Sequence, residues 1–268
     1  MPLVQFFMLT YAVTWALWAA AWLISGRASQ LWFLPGTIAP ALVALGLTAR
    51  ADGAPGVRAL LAKILDAPAR ARWYLFAAGY MAAIKLTVAL IHRVAVGAWP
   101  RFGDEPWYLI VGAMVISTPV QAGEEIGWRG FALPRLAERF GLARASLVLG
   151  VIWATWHLPL FFVPGADTFH QSFPLYLAQV TALSVAMGWL WGNTNGSLLL
   201  VMLMHSAVNQ SIGIVRSASA VVTGPLTTKP TLVGWLTVSV LWICAGVFLA
   251  RMPRGAQSVP SASSGGSA

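Results

Sequence analysis

The chain has 268 residues, of which 58% are hydrophobic and only 9% are charged, and its formal net charge is +9. A typical soluble domain is nearer a quarter charged, and this chain has too few polar residues to cover a soluble core of its size. The composition therefore excludes an ordinary soluble protein and predicts an all-α, polytopic membrane protein. The single cysteine, Cys244, excludes an intrachain disulfide and a thiolate metal cluster.

About eight apolar segments follow one another, each near the roughly 20 residues that a membrane-spanning helix needs. Their approximate bounds are 3–25, 31–49, 73–96, 106–128, 145–163, 173–192, 196–215 and 231–250. The first is too long for the apolar region of a signal peptide and lacks a basic segment before it, so we expect it to remain as a span. Between the sixth and seventh spans, Asn193-Thr194-Asn195-Gly196 is typical of a tight turn.

The basic residues lie mostly between the apolar segments, a pattern that orients membrane proteins and does not indicate nucleic-acid binding. The loops after the second and fourth spans are the richest, with Arg50, Arg58, Lys63, Arg70 and Arg72 in one and Arg135, Arg139 and Arg144 in the other. The positive-inside rule therefore predicts a multi-pass protein of the cell membrane with both termini in the cytoplasm. Leu60, Leu61, Ile64 and Leu65 predict an amphipathic helix at the membrane surface within the first of these loops.

The chain divides into an integral membrane domain, residues 1–252, and a C-terminal segment, residues 253–268. The second is rich in Ser, Gly, Ala and Pro, a composition that predicts a disordered tail.

Two adjacent acids, Glu124 and Glu125, stand near the predicted cytoplasmic end of the fourth span. An acid inside a membrane is costly and needs an explanation. On a helix, Glu125 and Arg129 share one face and can form an ion pair, whereas Glu124 lies about 100° away around the helix. We therefore expect Glu125 and Arg129 to be structural and Glu124 to be free to point into the helix bundle.

Three further polar residues lie inside apolar spans. His157 is in the fifth span, His205 is in the seventh, and Asn209 follows His205 by four residues and shares its helical face. Each alone is more simply explained as an interhelical hydrogen bond. Because the predicted depths of Glu124, His157 and His205 are similar, we expect all four groups to meet in a polar cavity that opens to the cytoplasm.

The three motifs resemble the signature of the CAAX prenyl protease and bacteriocin-processing family of intramembrane endopeptidases. That family carries Glu-Glu-x-x-x-Arg, Phe-x-x-x-His and His-x-x-x-Asn on successive core helices. This chain has EEIGWR at Glu124–Arg129, WATWH at Trp153–His157 and HSAVN at His205–Asn209, within a core of residues 106–215. The second motif departs from the pattern, because Trp153 stands where the family usually has Phe, an aromatic exchange that puts little in doubt.

The resemblance implies an endopeptidase that cleaves a membrane-associated or C-terminal peptide within the lipid bilayer. It implies that Glu124 and His157 hold and deprotonate the attacking water, while His205 and Asn209 stabilise the oxyanion. No cofactor is expected on this mechanism. Serine-triad chemistry fits poorly, since Ser117 and Ser206 lack an acid–histidine arrangement of the usual kind.

Two alternatives stay open at this stage. Glu124, His157 and His205 form a two-histidine, one-carboxylate set that Zn²⁺ could accept in a zinc-dependent version of the protease, although no His-Glu-x-x-His motif supports it. The same cavity could instead bind a peptide, lipid or ion without cleavage, as in a transporter or an immunity protein. The sequence names neither the substrate nor whether it is prenylated.

Overall fold

The structure is a computed structural model that describes residues 2–25, 30–169, 171–211, 213–216, 226 and 231–252. The predicted tail, 253–268, lies outside these residues. The α-helices are α1 Pro2–Ser25, α2 Gln30–Thr37, α3 Ala39–Ala62, α4 Ala71–Val96, α5 Trp107–Ser117, α6 Ala122–Glu125, α7 Leu133–Phe140, α8 Leu142–Trp156, α9 Phe173–Asn193, α10 Leu198–Ser211 and α11 Leu232–Arg251. Shorter helical turns are 3₁₀ at Thr118–Gln121 and Leu158–Phe162, and π at Ile126–Ala132.

The fold class is confirmed as all-α and polytopic. The described residues contain five segments long and apolar enough to cross a membrane: Pro2–Ile24, Ala71–Val96, Leu142–Phe162, Phe173–Asn193 and Leu232–Arg251. The number of eight spans is not confirmed. The second predicted span falls on α2 and α3, where the helix is broken. The fourth falls on the run that begins with α5, which carries charged residues. The seventh falls on α10, which has only 14 residues.

Turn chemistry matches the sequence at two places. Asn195 and Gly196 have φ of +53° and +79°, so the predicted turn before α10 uses the left-handed conformation that these residue types tolerate. Gly53 has φ of +63° and kinks α3 into two helical parts. The part after the kink contains Leu60 and Leu61, so the predicted amphipathic segment is helical as far as Ala62.

One helical run, residues 107–140, passes without interruption through α5, a 3₁₀ turn, α6, the π-helical turn and α7. Glu124 was expected near the end of a span, but it lies midway along this run. Glycine allows the run to pack closely on α3. A Cβ on Gly127 would lie 2.6–2.7 Å from Pro40, and one on Gly123 would lie 2.8 Å from the Ile38 side chain. The glycine face therefore fixes the rotation of the helix that carries both glutamates.

Candidate active site

The adjacent glutamates face different partners. Glu125 Oε1 accepts hydrogen bonds from Arg129 Nη1 at 2.9 Å and from His205 Nδ1 at 2.7 Å. Glu125 and Arg129 are fully buried, and His205 is 4% exposed. The ion pair expected from the four-residue spacing is thus present. The contact with His205 joins α6 to α10 and was not expected, because sequence spacing carries no information about which helices are neighbours.

Glu124 is 6% exposed and accepts a hydrogen bond from the indole nitrogen of Trp153, with 2.7 Å between Nε1 and Oε2. The Trp153 ring also lies under the Arg129 guanidinium, whose Cζ is 4.2 Å from the ring centroid. Its centroid is 5.2 Å from that of His205 and 5.9 Å from that of His157. Trp153 is therefore a polar contact of the site and not only an aromatic replacement, which the sequence interpretation missed.

His157 lies at the C-terminal end of α8, where the helix tightens into the 3₁₀ turn. Its backbone N–H bonds to Ala154 at 3.2 Å, so the carbonyl of Trp153 is free to accept from the ring of His157, with 2.9 Å between Nδ1 and O. A carbonyl only accepts, and Nδ1 must therefore carry the proton. Nε2 is then left as a hydrogen-bond acceptor.

Aromatic side chains of α1 bind other carbonyls exposed at this helix end. The Trp15 indole donates to Trp156 O at 2.9 Å, and the Tyr11 hydroxyl donates to Ile152 O and contacts Thr155 Oγ1 at 2.7 Å. These contacts satisfy carbonyls near the helix terminus and tie the segment that carries His157 to α1.

Tyr176 is a further residue of the site that no motif indicated. It lies in the first turn of α9, with its ring centroid 5.6 Å from that of His157. Its only sequence signal is an aromatic residue near the start of an apolar span. That signal is common in membrane proteins and does not identify a site.

The predicted set is brought together in part. Glu124, His157 and His205 meet around Trp153, whereas Asn209 lies one helical turn beyond His205 and is exposed. Among the residues that the structure describes, Asn209 makes no hydrogen bond to the other three. Of the four predicted residues, Asn209 is therefore the one that is exposed at the molecular surface.

The described residues lend no support to the zinc-dependent alternative. In the described part of the chain, no group of three or more His, Cys, Asp and Glu side chains could hold a metal ion. The Trp153 ring packs against both imidazoles, and Glu125 accepts a hydrogen bond from His205 Nδ1. Ser117 and Ser206 bond to each other at 2.7 Å, and Ser206 also donates to Met114 O. Neither of these hydrogen bonds involves a histidine or an acid.

Comparison with known proteins identifies the same segment. The model of the family described as "Type II CAAX prenyl endopeptidase Rce1-like" matches residues 104–211, which include all three motifs. A protein of Methanococcus maripaludis named CAAX prenyl protease 2 is 29% identical over 112 residues, which cover 38% of this chain and 41% of that protein. The chain thus matches less than half the length of this relative.

Proposed function

Because the family model of the Rce1-like type II CAAX prenyl endopeptidases matches residues 104–211, we propose that this chain is an intramembrane endopeptidase. It hydrolyses a peptide bond of a membrane-associated substrate with a water that Glu124 activates. The observation that carries the proposal is the meeting of Glu124 with His157 and His205 around one indole. Glu125 is neutralised by Arg129, which leaves Glu124 as the carboxylate available for chemistry.

The water is held by Glu124 and His157. Trp153 occupies Oε2 of Glu124, so Oε1 is left to accept from the water, and Nε2 of His157 is the second acceptor. As the water oxygen attacks the scissile carbonyl carbon, its proton passes to Glu124. When the C–N bond breaks, the same proton passes to the leaving amine, which returns Glu124 to its ionised form.

His205 and Asn209 are the proposed donors to the oxyanion. Glu125 accepts from Nδ1 of His205, so Nε2 can donate only when the imidazole is doubly protonated. Glu125 stabilises that cation while it also pairs with Arg129. Donors of this kind stabilise charge that exists only during the reaction.

The proposed reaction is independent of metal. Treatment of the purified protein with a chelator, followed by removal of the chelator, should leave the cleavage rate unchanged. A loss of activity that added Zn²⁺ restores would instead support the zinc-dependent alternative, with Glu124, His157 and His205 as ligands.

The central experiment replaces Glu124 by Gln in protein reconstituted into vesicles. The probe is a quenched fluorescent peptide ending in a prenylated cysteine and three further residues, beside the same peptide without the prenyl group. We expect Glu124→Gln to abolish cleavage while yield and fold stay intact, because the amide oxygen still accepts from Trp153. Glu105→Gln, at an exposed acid outside the site, is the matched control and should be fully active. Full activity of Glu124→Gln would exclude the mechanism.

A further inference from the structure

The indole N–H of Trp153 makes the one hydrogen bond that the described residues give to Glu124, at 2.7 Å between nitrogen and oxygen. Both groups are nearly inaccessible, Trp153 at 4% and Glu124 at 6% exposure. An indole N–H can only donate, and a carboxylate accepts more strongly when it is ionised. The contact therefore joins the indole to one carboxylate oxygen of Glu124, Oε2.

The same contact fixes the direction of the carboxylate. The Trp153 ring lies under the Arg129 guanidinium and makes T-shaped contacts with the rings of His157 and His205, so the Trp153 ring has little freedom to rotate. Because Nε1 is bound to Oε2, the carboxyl group is held with Oε1 as its free oxygen. A rigid donor of this kind limits the rotation of the carboxylate, which otherwise would vary about the terminal χ angle.

We propose that Trp153 is a positioning residue, which holds the Glu124 carboxylate in one orientation and aims its free oxygen at the attacking water. The inference rests on the proposed function, since it assigns Trp153 a part in the activation of that water. This role of Trp153 differs from packing alone, which any large aromatic side chain would provide.

Trp153→Phe tests the proposal, because it keeps an aromatic ring and removes the N–H. The matched control is Trp128→Phe, since Trp128 is fully buried and its indole nitrogen has no hydrogen-bond partner in the described part of the chain. For Trp153→Phe we expect kcat to fall about tenfold or more with KM nearly unchanged. Trp128→Phe should keep the wild-type kcat and KM.

The comparison of kcat with KM separates positioning from packing, because an oriented carboxylate acts on the reaction step and not on substrate binding. A kcat of Trp153→Phe equal to that of Trp128→Phe, or a raised KM with unchanged kcat, would overturn the proposal.

A second measurement does not depend on turnover or on the stability of Trp153→Phe. With ¹⁵N-labelled tryptophan, the indole resonance of Trp153 should shift in Glu124→Leu, which removes the acceptor, while the resonance of Trp128 should not. An unmoved Trp153 resonance would exclude the hydrogen bond. If the wild-type protein showed no Glu124-dependent cleavage, the proposed function would fail, but this resonance would still report the contact.

Discussion

At the scale of single residues, two neighbouring glutamates acquire different properties from their partners. The α-helix separates their side chains by about 100°, so each meets a different set of groups. Glu125 accepts hydrogen bonds from Arg129 and His205. Glu124 contacts the neutral indole of Trp153. The adjacent acids thus divide into one that is bound by two donors and one that, among the described residues, accepts from a single indole.

The first prediction concerns the buried ion pair. Glu125→Ala or Arg129→Ala leaves the other partner as an unpaired buried charge, and either should lower the free energy of unfolding by about 3–5 kcal/mol. The control is Asp66→Ala, which breaks the exposed pair Lys63–Asp66 and should cost about 1 kcal/mol or less. Denaturant titration of the detergent-solubilised protein measures both. Similar small losses for Glu125→Ala and Asp66→Ala would contradict the structural role.

The second prediction concerns Asn209 and distinguishes an enzyme from a binding protein. An oxyanion donor contacts a charge that exists only during reaction, so Asn209→Ala should lower single-turnover cleavage by about a hundredfold or more. Substrate affinity should change little. Asn193→Ala, which removes an exposed asparagine in the last turn of α9, should alter neither quantity. If Asn209→Ala weakens binding while bound peptide is cleaved at the normal rate, Asn209 positions substrate instead.

At the scale of secondary structure, the site depends on the long helical run of residues 107–140. Its 3₁₀ and π turns change the rotation of the helix on both sides of α6, where the glutamates lie. Gly123 and Gly127 let this segment approach Ile38 and Pro40 closely, so the face with the glycines is turned toward α3. Small residues serve this purpose in membrane proteins because they allow helix backbones to pack together.

The third prediction tests that close approach. A Cβ on Gly127 would lie 2.6–2.7 Å from Pro40, including its backbone carbonyl, so α3 would have to move. We expect Gly127→Ala to lower the free energy of unfolding by about 1–3 kcal/mol and to reduce turnover. Gly112→Ala in the same run is the matched control, since no atom outside its own stretch of helix lies within 4 Å of the added Cβ. Equal thermal midpoints for the two variants would show that the packing against Pro40 is not required.

At the scale of the whole molecule, the distribution of charge predicts how the helices cross the membrane. Arg135, Arg139 and Arg144 surround the connection between α7 and α8, whereas the sequence 157–172, between α8 and α9, contains neither Lys nor Arg. The positive-inside rule therefore predicts that the first connection is cytoplasmic and the second is on the opposite side.

The fourth prediction is a labelling experiment on intact cells. The chain has one cysteine, and Cys244→Ala provides a background for single cysteines at the exposed positions Arg139 and Asp167. A membrane-impermeant maleimide should label Asp167→Cys directly and Arg139→Cys only after the cells are permeabilised. Labelling of both positions from the same side would contradict the predicted orientation.

Sequence alone determined the features that depend on composition and on spacing within one helix. The apolar composition determined a polytopic helical fold, Asn195 and Gly196 determined the turn before α10, and the four-residue spacing determined the pair Glu125–Arg129. Only the tertiary structure brought Trp153 to Glu124 and His205 to Glu125. These hydrogen bonds join residues 29 and 80 positions apart, on helices whose adjacency no local pattern encodes. Which polar side chains become partners was therefore decided by the packing of helices against each other.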